Sequence, residues 1–335
     1  MLNLANRIGP STPARVYGNP HGVAVGAMRW NGVYAETTVL TQENGYLGPN
    51  QYHFRAPWWS VAGDNTISVQ GNATTMDAEI NYAVAAKLGY WAFFYYGSAT
   101  TGELNRAFTL FQASSIKNKI NWCLAWASFG IFNTDVATNL PYVVSLLAQS
   151  NYQTVLGGRP LVYLYDDGNG TSSASQVTTF RSACTSAGLG NPYIVVLHFD
   201  PTSANAIKVS NGLDAISSYS IQFNEKTSFD MLRVEVEAWW RQQTAVADMV
   251  PCCMSGWQTA PRGGTVYYEY ALASQITEHL QDAIDFAASQ AACPARALLC
   301  YAWNEHSEGG WLCPTYIDGV SADASRLNAA ALALA

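Results

Sequence analysis

Short apolar runs recur along the chain, and each one ends where polar or aromatic residues begin. Several of these runs are continuous rather than alternating, which is typical of strands that are buried on both faces. Of the segments, DAISSYS (214–220) carries the weakest apolar signal. The runs predict eight strands, at 24–31, 89–96, 121–128, 159–167, 192–200, 214–220, 248–257 and 297–305.

Stretches with helical periodicity lie between these runs. Thr74 and Asp77 have the spacing of a capping box at the start of one of them. The predicted helices are 77–87, 103–119, 141–149, 174–187, 229–243 and 271–289. Because strands and helices alternate, the pattern predicts an α/β protein, and eight strands in this order predict a (β/α)8 TIM barrel.

The chain length of 335 residues suits one such barrel. We find no linker and no internal repeat between the predicted elements. We therefore predict a single barrel domain over 24–335, preceded by an N-terminal extension over 1–23. The stretch 35–75 is predicted as a long loop after the first strand.

Composition narrows the class of ligand. Charged residues make up 12% of the chain and aromatic residues 13%. The chain has 17 Lys and Arg residues and 24 Asp and Glu residues, which gives a net charge of −7. The basic residues are scattered singly, so the chain lacks the clustered cations that nucleic-acid binding needs. A weakly charged, aromatic-rich chain better suits a neutral polar ligand such as a sugar, whose C–H faces can stack on Trp and Tyr.

Other features bear on location and on the cysteines. No apolar run approaches the roughly 18 residues of a membrane-spanning helix, so we expect no membrane span. The start, MLNLANRIGPSTPAR, lacks the basic-then-apolar order of a secretory signal peptide. The protein could be cytoplasmic or part of a secreted or virion assembly, and its oligomeric state stays open. Seven cysteines, several in predicted strands, are interpreted as reduced thiols.

The carboxyl ends of the strands are where a (β/α)8 barrel builds its active site. The predicted strand ends gather aromatic, acidic, amide and histidine side chains, and Arg55 lies in the long first loop. An aromatic residue there can equally be a core residue, Asp166 could cap a loop, and His198 could be a core histidine. The candidate sugar-binding residues are Arg55, Tyr96, Trp126, Asp166, His198, Trp257, Trp303 and Asn304.

The segment ALLCYAWNEHSEGGWLCPT, at 297–315, is the most informative one. Glu305 and Glu308 are three residues apart, which on a turn-like backbone puts both side chains on one face, with Cβ atoms about 5–6 Å apart. Neighbouring carboxyls split their pKa values, and glycoside hydrolysis uses such a pair. We predict Glu305 and Glu308 as a catalytic pair, although the spacing leaves open which is acid and which is base. The alternative is an ordinary solvated loop.

Two sequence signals for metal ions are weak. The stretch Asp166-Asp167-Gly-Asn-Gly lacks the spacing of a twelve-residue calcium loop. His198 and Asp200 could begin a metal site, but no second convincing pair of histidine ligands accompanies them. We therefore predict no metal site and no cofactor.

The stretch WNEHSEGGWLCPT resembles the closing motif of the family 99 glycoside hydrolases and their WbsX-type relatives, roughly Asn-Glu-Trp-x-Glu-Gly followed by an apolar residue and Pro. In this chain His306 replaces the middle aromatic residue, and Gln258 stands where the relatives often have Asp. Three further segments resemble the family in the same order: YHFRAPWWS (52–60), DAEINYAVAAKLGYWAFFYY (77–96) and MSGWQTAPRGG (254–264).

The resemblance implies a (β/α)8 barrel that cleaves α-linked glycans, is endo-acting and retains the anomeric configuration. It implies that Glu305 deprotonates the sugar 2-hydroxyl, which attacks the anomeric carbon to give a 1,2-anhydro intermediate. Glu308 then acts first as general acid and later as base. The expected substrate is an oligo- or polysaccharide of bacterial or phage type.

Two other functions stay open at this point. A non-catalytic glycan-binding barrel would keep the aromatic strand ends but would not need the two glutamates. A glycosyltransferase or transglycosidase of polysaccharide metabolism would form glycosidic bonds. The sequence has no obvious nucleotide-diphosphate site, which counts against a sugar-nucleotide donor.

Overall fold

A computed structural model describes residue 19 and the ranges 21–36, 38–98, 103–223, 226–318 and 321–335. Most of the predicted N-terminal extension, 1–23, lies outside the described residues. Eight parallel strands form the main sheet, and each lies within one predicted segment. They are β1 Ala24–Arg29, β2 Tyr90–Tyr95, β3 Asn121–Trp126, β4 Arg159–Tyr165, β5 Tyr193–Leu197, β6 Ala215–Ser217, β7 Cys252–Met254 and β8 Ala297–Tyr301.

The eight strands close into a barrel. β1 to β6 pair in chain order, and β8 pairs with both β1 and β7. The remaining gap is closed just before β7, where Ile216 forms a parallel bridge with Met249. The N–H of Ile216 donates to the carbonyl of Asp248 (2.9 Å), and the carbonyl of Ile216 accepts from the N–H of Val250 (2.9 Å). The predicted (β/α)8 TIM barrel is therefore confirmed, and the carboxyl ends of all eight strands lie at one mouth.

Helices surround the barrel. Those that the structure describes are α1 Thr38–Leu47, α2 Ala73–Ala85, α3 Arg106–Ala113, α4 Phe129–Thr138, α5 Leu140–Leu147, α6 Ala174–Ser186, α7 Pro201–Asn211, α8 Phe229–Thr244, α9 Ala273–Ser289 and α10 Ser325–Ala333. The predicted capping box was misplaced, because the side chain of Asn72 accepts from the N–H of Thr75 and α2 begins at Ala73. Helices α1, α4, α7 and α10 were not predicted. None of the described helices is long and apolar enough to cross a membrane.

The long first loop contains regular structure. Within 35–75 lie α1, a 3-10 turn over Asn50–Arg55, and a hairpin that pairs Val61–Gly63 with Thr66–Ser68. The turn packs onto the segment after β8, where the carbonyl of Ala56 accepts from the N–H of Tyr316 (2.8 Å). The first and last barrel strands thus share one elaborated region at the mouth.

The interior of the barrel is filled by side chains. The hydroxyl of Tyr90 shares a hydrogen bond with that of Tyr163 (2.8 Å) and donates to the carbonyl of Leu298 (3.0 Å). Gly26 of β1 lies directly against the Tyr90 ring, and a Cβ at Gly26 would be 2.2 Å from a ring carbon. All seven cysteines are free and buried, in agreement with their interpretation as thiols.

Substituting Gly26 with alanine is expected to destabilise the barrel by about 1–3 kcal/mol, since the added methyl group forces Tyr90 out of its hydrogen-bonded position. Urea unfolding followed by circular dichroism measures the change. Gly45→Ala is the matched control, because no atom lies within 4 Å of a Cβ there. Alanine at this exposed position in the last turn of α1 is expected to be neutral or stabilising by up to ~1 kcal/mol. Equal unfolding midpoints for both variants would contradict the prediction.

Candidate active site

The chain after β8 turns back on itself at the barrel mouth. Asn304–Glu305 pairs antiparallel with Gly310–Trp311, and a 3-10 turn, His306–Glu308, connects them. Gly309 completes the turn with φ +91°, and a Cβ there would be 2.4 Å from the backbone nitrogen of Gln258. Only glycine fits this position. The turn brings the carboxyls of Glu305 and Glu308 close enough for their charges to interact.

Glu305 is almost completely buried. The hydroxyl of Tyr219 donates a hydrogen bond to its Oε1. Burial, followed by the negative charge of Glu308, raises the pKa of Glu305 well above its usual value. The charge of Arg262 and the Tyr219 hydrogen bond act in the opposite direction and are weaker. Glu305 therefore keeps its proton to a higher pH than an exposed glutamate does.

Glu308 is more open, with 17% of its side chain exposed. Arg262 forms an ion pair with its Oε1, and the hydroxyl of Tyr301 donates to its Oε2. A guanidinium and a phenol thus fix both oxygens of this carboxyl. The two glutamates consequently occupy different surroundings, one buried against a tyrosine and one facing the mouth beside a cation.

Arg262 contacts several charged, polar and aromatic side chains around the glutamate pair. Its Nε donates to the hydroxyl of Ser307 (2.9 Å), and its Nη2 lies 3.2 Å from Oε1 of Glu43 on α1. The guanidinium carbon lies over the rings of Trp30 (5.7 Å) and Tyr46 (5.4 Å). Sequence reasoning did not select Arg262 or Glu43. Arg262 stands in the quoted segment 254–264 and could have been found there, whereas Glu43 has no local signal.

Aromatic rings line the mouth around the pair. Tyr219 contacts Phe94, Tyr165 and Tyr301, with centroids 5.2–5.4 Å apart. Trp257, one of the predicted residues, is half-buried and lies 5.6 Å from Tyr301. Tyr96 is also half-buried, and its hydroxyl accepts from Nε1 of Trp30 (3.0 Å). Tyr96 and Trp257 are therefore the two predicted sugar-binding aromatic residues whose side chains are partly exposed.

Asp166 and His198 meet at the ends of β4 and β5. His198 Nε2 is 3.4 Å from Asp166 Oδ2, and both side chains are partly exposed. The N–H of Asp200 donates to His198 Nδ1 (2.8 Å), and His198 Nε2 faces Asp166. The sequence predicted both residues separately, and the fold brings them together.

Four of the predicted sugar-binding residues are completely buried, namely Arg55, Trp126, Trp303 and Asn304. Nε1 of Trp126 donates to Asp135 (2.8 Å) in the helix layer, so its predicted contact with a sugar is wrong. The other three support the site without facing it.

Arg55 binds the carbonyl of His306 (2.6 Å), and Asn304 exchanges two hydrogen bonds with the backbone of Trp30 (2.8 and 2.9 Å). Nε1 of Trp303 donates to Glu79 (2.6 Å). We therefore correct the assignment of these three residues. They do not contact a substrate but support the turn after β8, His306–Glu308, which we call the strand-8 turn.

The two departures from the family motif, buried His306 and half-buried Gln258, are also supports. His306 donates through Nδ1 to the carbonyl of Arg55 (2.7 Å), and burial lowers its pKa to about 3, so it is neutral. Oε1 of Gln258 accepts from Nη1 of Arg55 (2.7 Å). In the part of the chain that the structure describes, no group of three or more His, Cys, Asp or Glu side chains is arranged to hold a metal ion.

A cleft of about 360 Å³ opens beside Tyr96, between the loops that follow β2, β3 and β4. Its lining is mostly small and polar. The polar lining residues are Tyr96, Ser128, Thr134, Asp135, Asp167, Asn169 and Thr171. The groove thus offers hydroxyl, amide and carboxyl groups to a ligand.

Comparison with known proteins places this architecture among carbohydrate-active barrels. Residues 132–321 match the family model described as "Glycosyltransferase WbsX". The GH99 endo-alpha-mannosidase from Bacteroides thetaiotaomicron superposes with a TM-score of 0.56 at 14% identity, over 92% of this chain and 95% of that one. Its complex with bis-tris-propane gives 0.60 at 15% identity, with the same coverage.

A further structure, described as a glycoside hydrolase-like protein, gives a TM-score of 0.60 at 14% identity over 92% of each chain. At these identities the three structures establish the shared barrel fold. No curated protein sequence matches the chain significantly.

Proposed function

Because the chain belongs to the WbsX family, whose model matches more than half of it, we propose that it is a family-99-like glycoside hydrolase that cleaves α-linked glycans. One observation carries the proposal: Glu305 and Glu308 share one turn at the barrel mouth, and each is held by a tyrosine hydroxyl. A pair of carboxyls in unlike surroundings is what acid and base roles require.

The proposed substrate is a polysaccharide with α-mannose or a related sugar. The superposed GH99 enzymes are endo-alpha-mannosidases, which makes α-mannan the first substrate to test. The groove beside Tyr96 offers hydroxyl, amide and carboxyl groups to sugar hydroxyls. Trp257 offers a half-buried ring for a C–H face, and the Asp166–His198 pair is a further candidate contact.

In the proposed reaction, Glu305 removes the proton of the sugar 2-hydroxyl. That oxygen attacks the anomeric carbon while the bond to the leaving oxygen breaks, and Glu308 gives the leaving oxygen a proton. Water then opens the 1,2-anhydro ring, losing a proton to Glu308, and Glu305 returns its proton to the 2-oxygen. The raised pKa of Glu305 makes it a stronger base once ionised.

The pair holds one proton in this scheme. Burial, followed by the charge of Glu308, favours the protonated form of Glu305 in the free protein, because it raises the pKa of Glu305. Productive binding of a sugar must therefore leave the proton on Glu308. Tyr301 and Arg262 contact Glu308 and are the groups that would adjust as this happens.

Incubating the protein with yeast α-mannan is expected to release oligosaccharides of several lengths, which mass spectrometry detects. Proton NMR of the first product is expected to show the α-anomer, since two displacements at one carbon retain configuration. A β-anomer as first product would refute the proposed role of Glu305. Failure to cleave mannan and a panel of other α-linked bacterial polysaccharides would refute the hydrolase.

A second candidate, a glycosyltransferase, is favoured by the description of the family. The same incubation with GDP-mannose and a mannose oligosaccharide acceptor distinguishes the two functions. Elongation that depends on the nucleotide sugar, with no cleavage of mannan, would support the transferase. Binding without any product, unchanged in variants of both glutamates, would instead identify a glycan-binding barrel.

A further inference from the structure

Helix α1 in the first loop carries a buried acid that the proposed reaction does not use. Glu43 is 1% exposed, although α1 lies on an excursion from the barrel. Its Oε1 accepts from the hydroxyl of Ser307 (2.8 Å) and lies 3.2 Å from Nη2 of Arg262. Its Oε2 is buried and has no hydrogen-bond partner among the described residues.

A buried carboxyl with one unsatisfied oxygen costs stability, so its presence calls for an explanation. Glu43 contacts the strand-8 turn through Ser307, which lies beside Glu308, and it contacts Arg262, which binds Glu308 directly. The same helix supplies the ring of Tyr46 to Arg262. Helix α1 therefore fixes the guanidinium from two directions.

The charges around Glu43 form a short chain. Arg262 forms ion pairs with both Glu43 and Glu308, and the charge of Glu308 in turn interacts with Glu305. The charge of Arg55 also interacts with that of Glu43. The charges of three acids, Glu43, Glu305 and Glu308, thus interact with that of Arg262. Arg262 is in direct contact with Glu43 and Glu308.

We propose that Glu43 is a positioning residue that holds Arg262 against Glu308 and, through its own charge, sets the pH at which the Glu305–Glu308 pair loses its proton. This inference rests on the proposed function of that pair. Glu43 does not touch the reacting atoms. It acts through Arg262, which it shares with Glu308.

The expected sign follows from the charges. Burial raises the pKa of Glu43, and the charge of Glu308 raises it further, while Arg262 and Ser307 oppose this. Conversely, the charge of Glu43 contributes to the raised pKa of Glu305. Glu43→Gln removes that charge and leaves the Arg262 guanidinium to Glu308 alone, so the pair is expected to lose its proton at lower pH.

Carboxyl NMR of protein labelled with 13C-glutamate measures this on the protein alone. In Glu43→Gln the titration of Glu305 is expected to move down by at least about half a pH unit, with Glu305→Gln and Glu308→Gln used to assign the signals. Glu36→Gln is the matched control, because Glu36 is an exposed acid of the same loop that pairs with Arg106. An unmoved Glu305 titration in folded Glu43→Gln would overturn the inference, whether or not any glycan is cleaved.

Glu43→Asp separates charge from reach and serves if Glu43→Gln does not fold. Aspartate keeps the charge but is one methylene shorter, so it no longer reaches Arg262 to hold it against Glu308. The Glu305 titration is expected to stay near the wild-type value. On a substrate that the protein cleaves, kcat is expected to fall more than KM changes, and in Glu43→Gln the alkaline limb of the pH–kcat profile is expected to move down. A wild-type kcat in Glu43→Asp would overturn the positioning role.

Discussion

Replacing Glu308 with glutamine is expected to abolish cleavage of the natural glycan while fold and oligosaccharide binding survive. Glutamine has nearly the same shape but cannot give a proton to the leaving oxygen, and loss of a general acid costs about 10²–10⁴ in rate. It still accepts from Tyr301, although the ion pair with Arg262 is lost. Initial rates of reducing-end release measure activity, and calorimetric titration with mannose oligosaccharides measures binding.

Glu305→Gln is expected to be equally inactive on the glycan, but for a different reason. An aryl α-glycoside has a leaving group that needs no proton, so Glu308→Gln should recover much of the rate of the first step, measured as release of the aryl group in a single turnover. Glu305→Gln should not recover, because the 2-hydroxyl still needs a base. The reverse result would exchange the two roles. Full activity of Glu308→Gln on the natural glycan would remove the assignment.

Replacing Glu79 with glutamine is expected to destabilise the protein by about 3–5 kcal/mol, because it leaves a buried cation without its partner. Arg29 and Glu79 are both completely buried, with Nη2 and Oε2 2.5 Å apart. Tyr34 also donates to Glu79, as does Trp303, which joins this ion pair to the strand-8 turn. Urea unfolding monitored by tryptophan fluorescence gives the free energy of unfolding.

Glu278→Gln is the control for this measurement. Glu278 also pairs with an arginine, Arg233, but it is exposed, so its loss is expected to cost about 0–1 kcal/mol. The double variant Arg29→Met, Glu79→Leu removes both charges and is expected to recover part of the lost stability, since Tyr34 and Trp303 still lose their acceptor. A loss below 1 kcal/mol for Glu79→Gln would show that Arg29 finds another partner.

The strands were predictable because continuous apolar runs are a property of the local sequence. Helices with weak apolar faces were harder, yet α7 had a readable start, since Asp200 caps it and Pro201 follows. The same holds for α4, which Ser128 caps. In both helices the capping residue is a clearer signal than the apolar periodicity, so a prediction from periodicity does not find them.

Side-chain direction explains the errors at the candidate site. Successive residues of a strand point to opposite faces. A prediction that is wrong by one position therefore assigns a side chain to the mouth when it lies in the core. Trp126 points into the helix layer, where it meets Asp135, whereas Tyr96 lies just after its strand and reaches the mouth. Glu43 could not be predicted, because its partners Arg262 and Ser307 are 219 and 264 residues away.

The contact between the first loop and the strand-8 turn has a consequence for synthesis. Arg55 meets its acceptor, the carbonyl of His306, across 251 residues of chain. A ribosome that adds about 5–20 residues per second needs roughly 13–50 s to cover that distance. Throughout this interval the nascent first loop must hold Arg55 and Glu43 without their final partners. The region around Glu305 and Glu308 is therefore among the last parts of the barrel to be assembled, and chains released before residue 305 would lack it altogether.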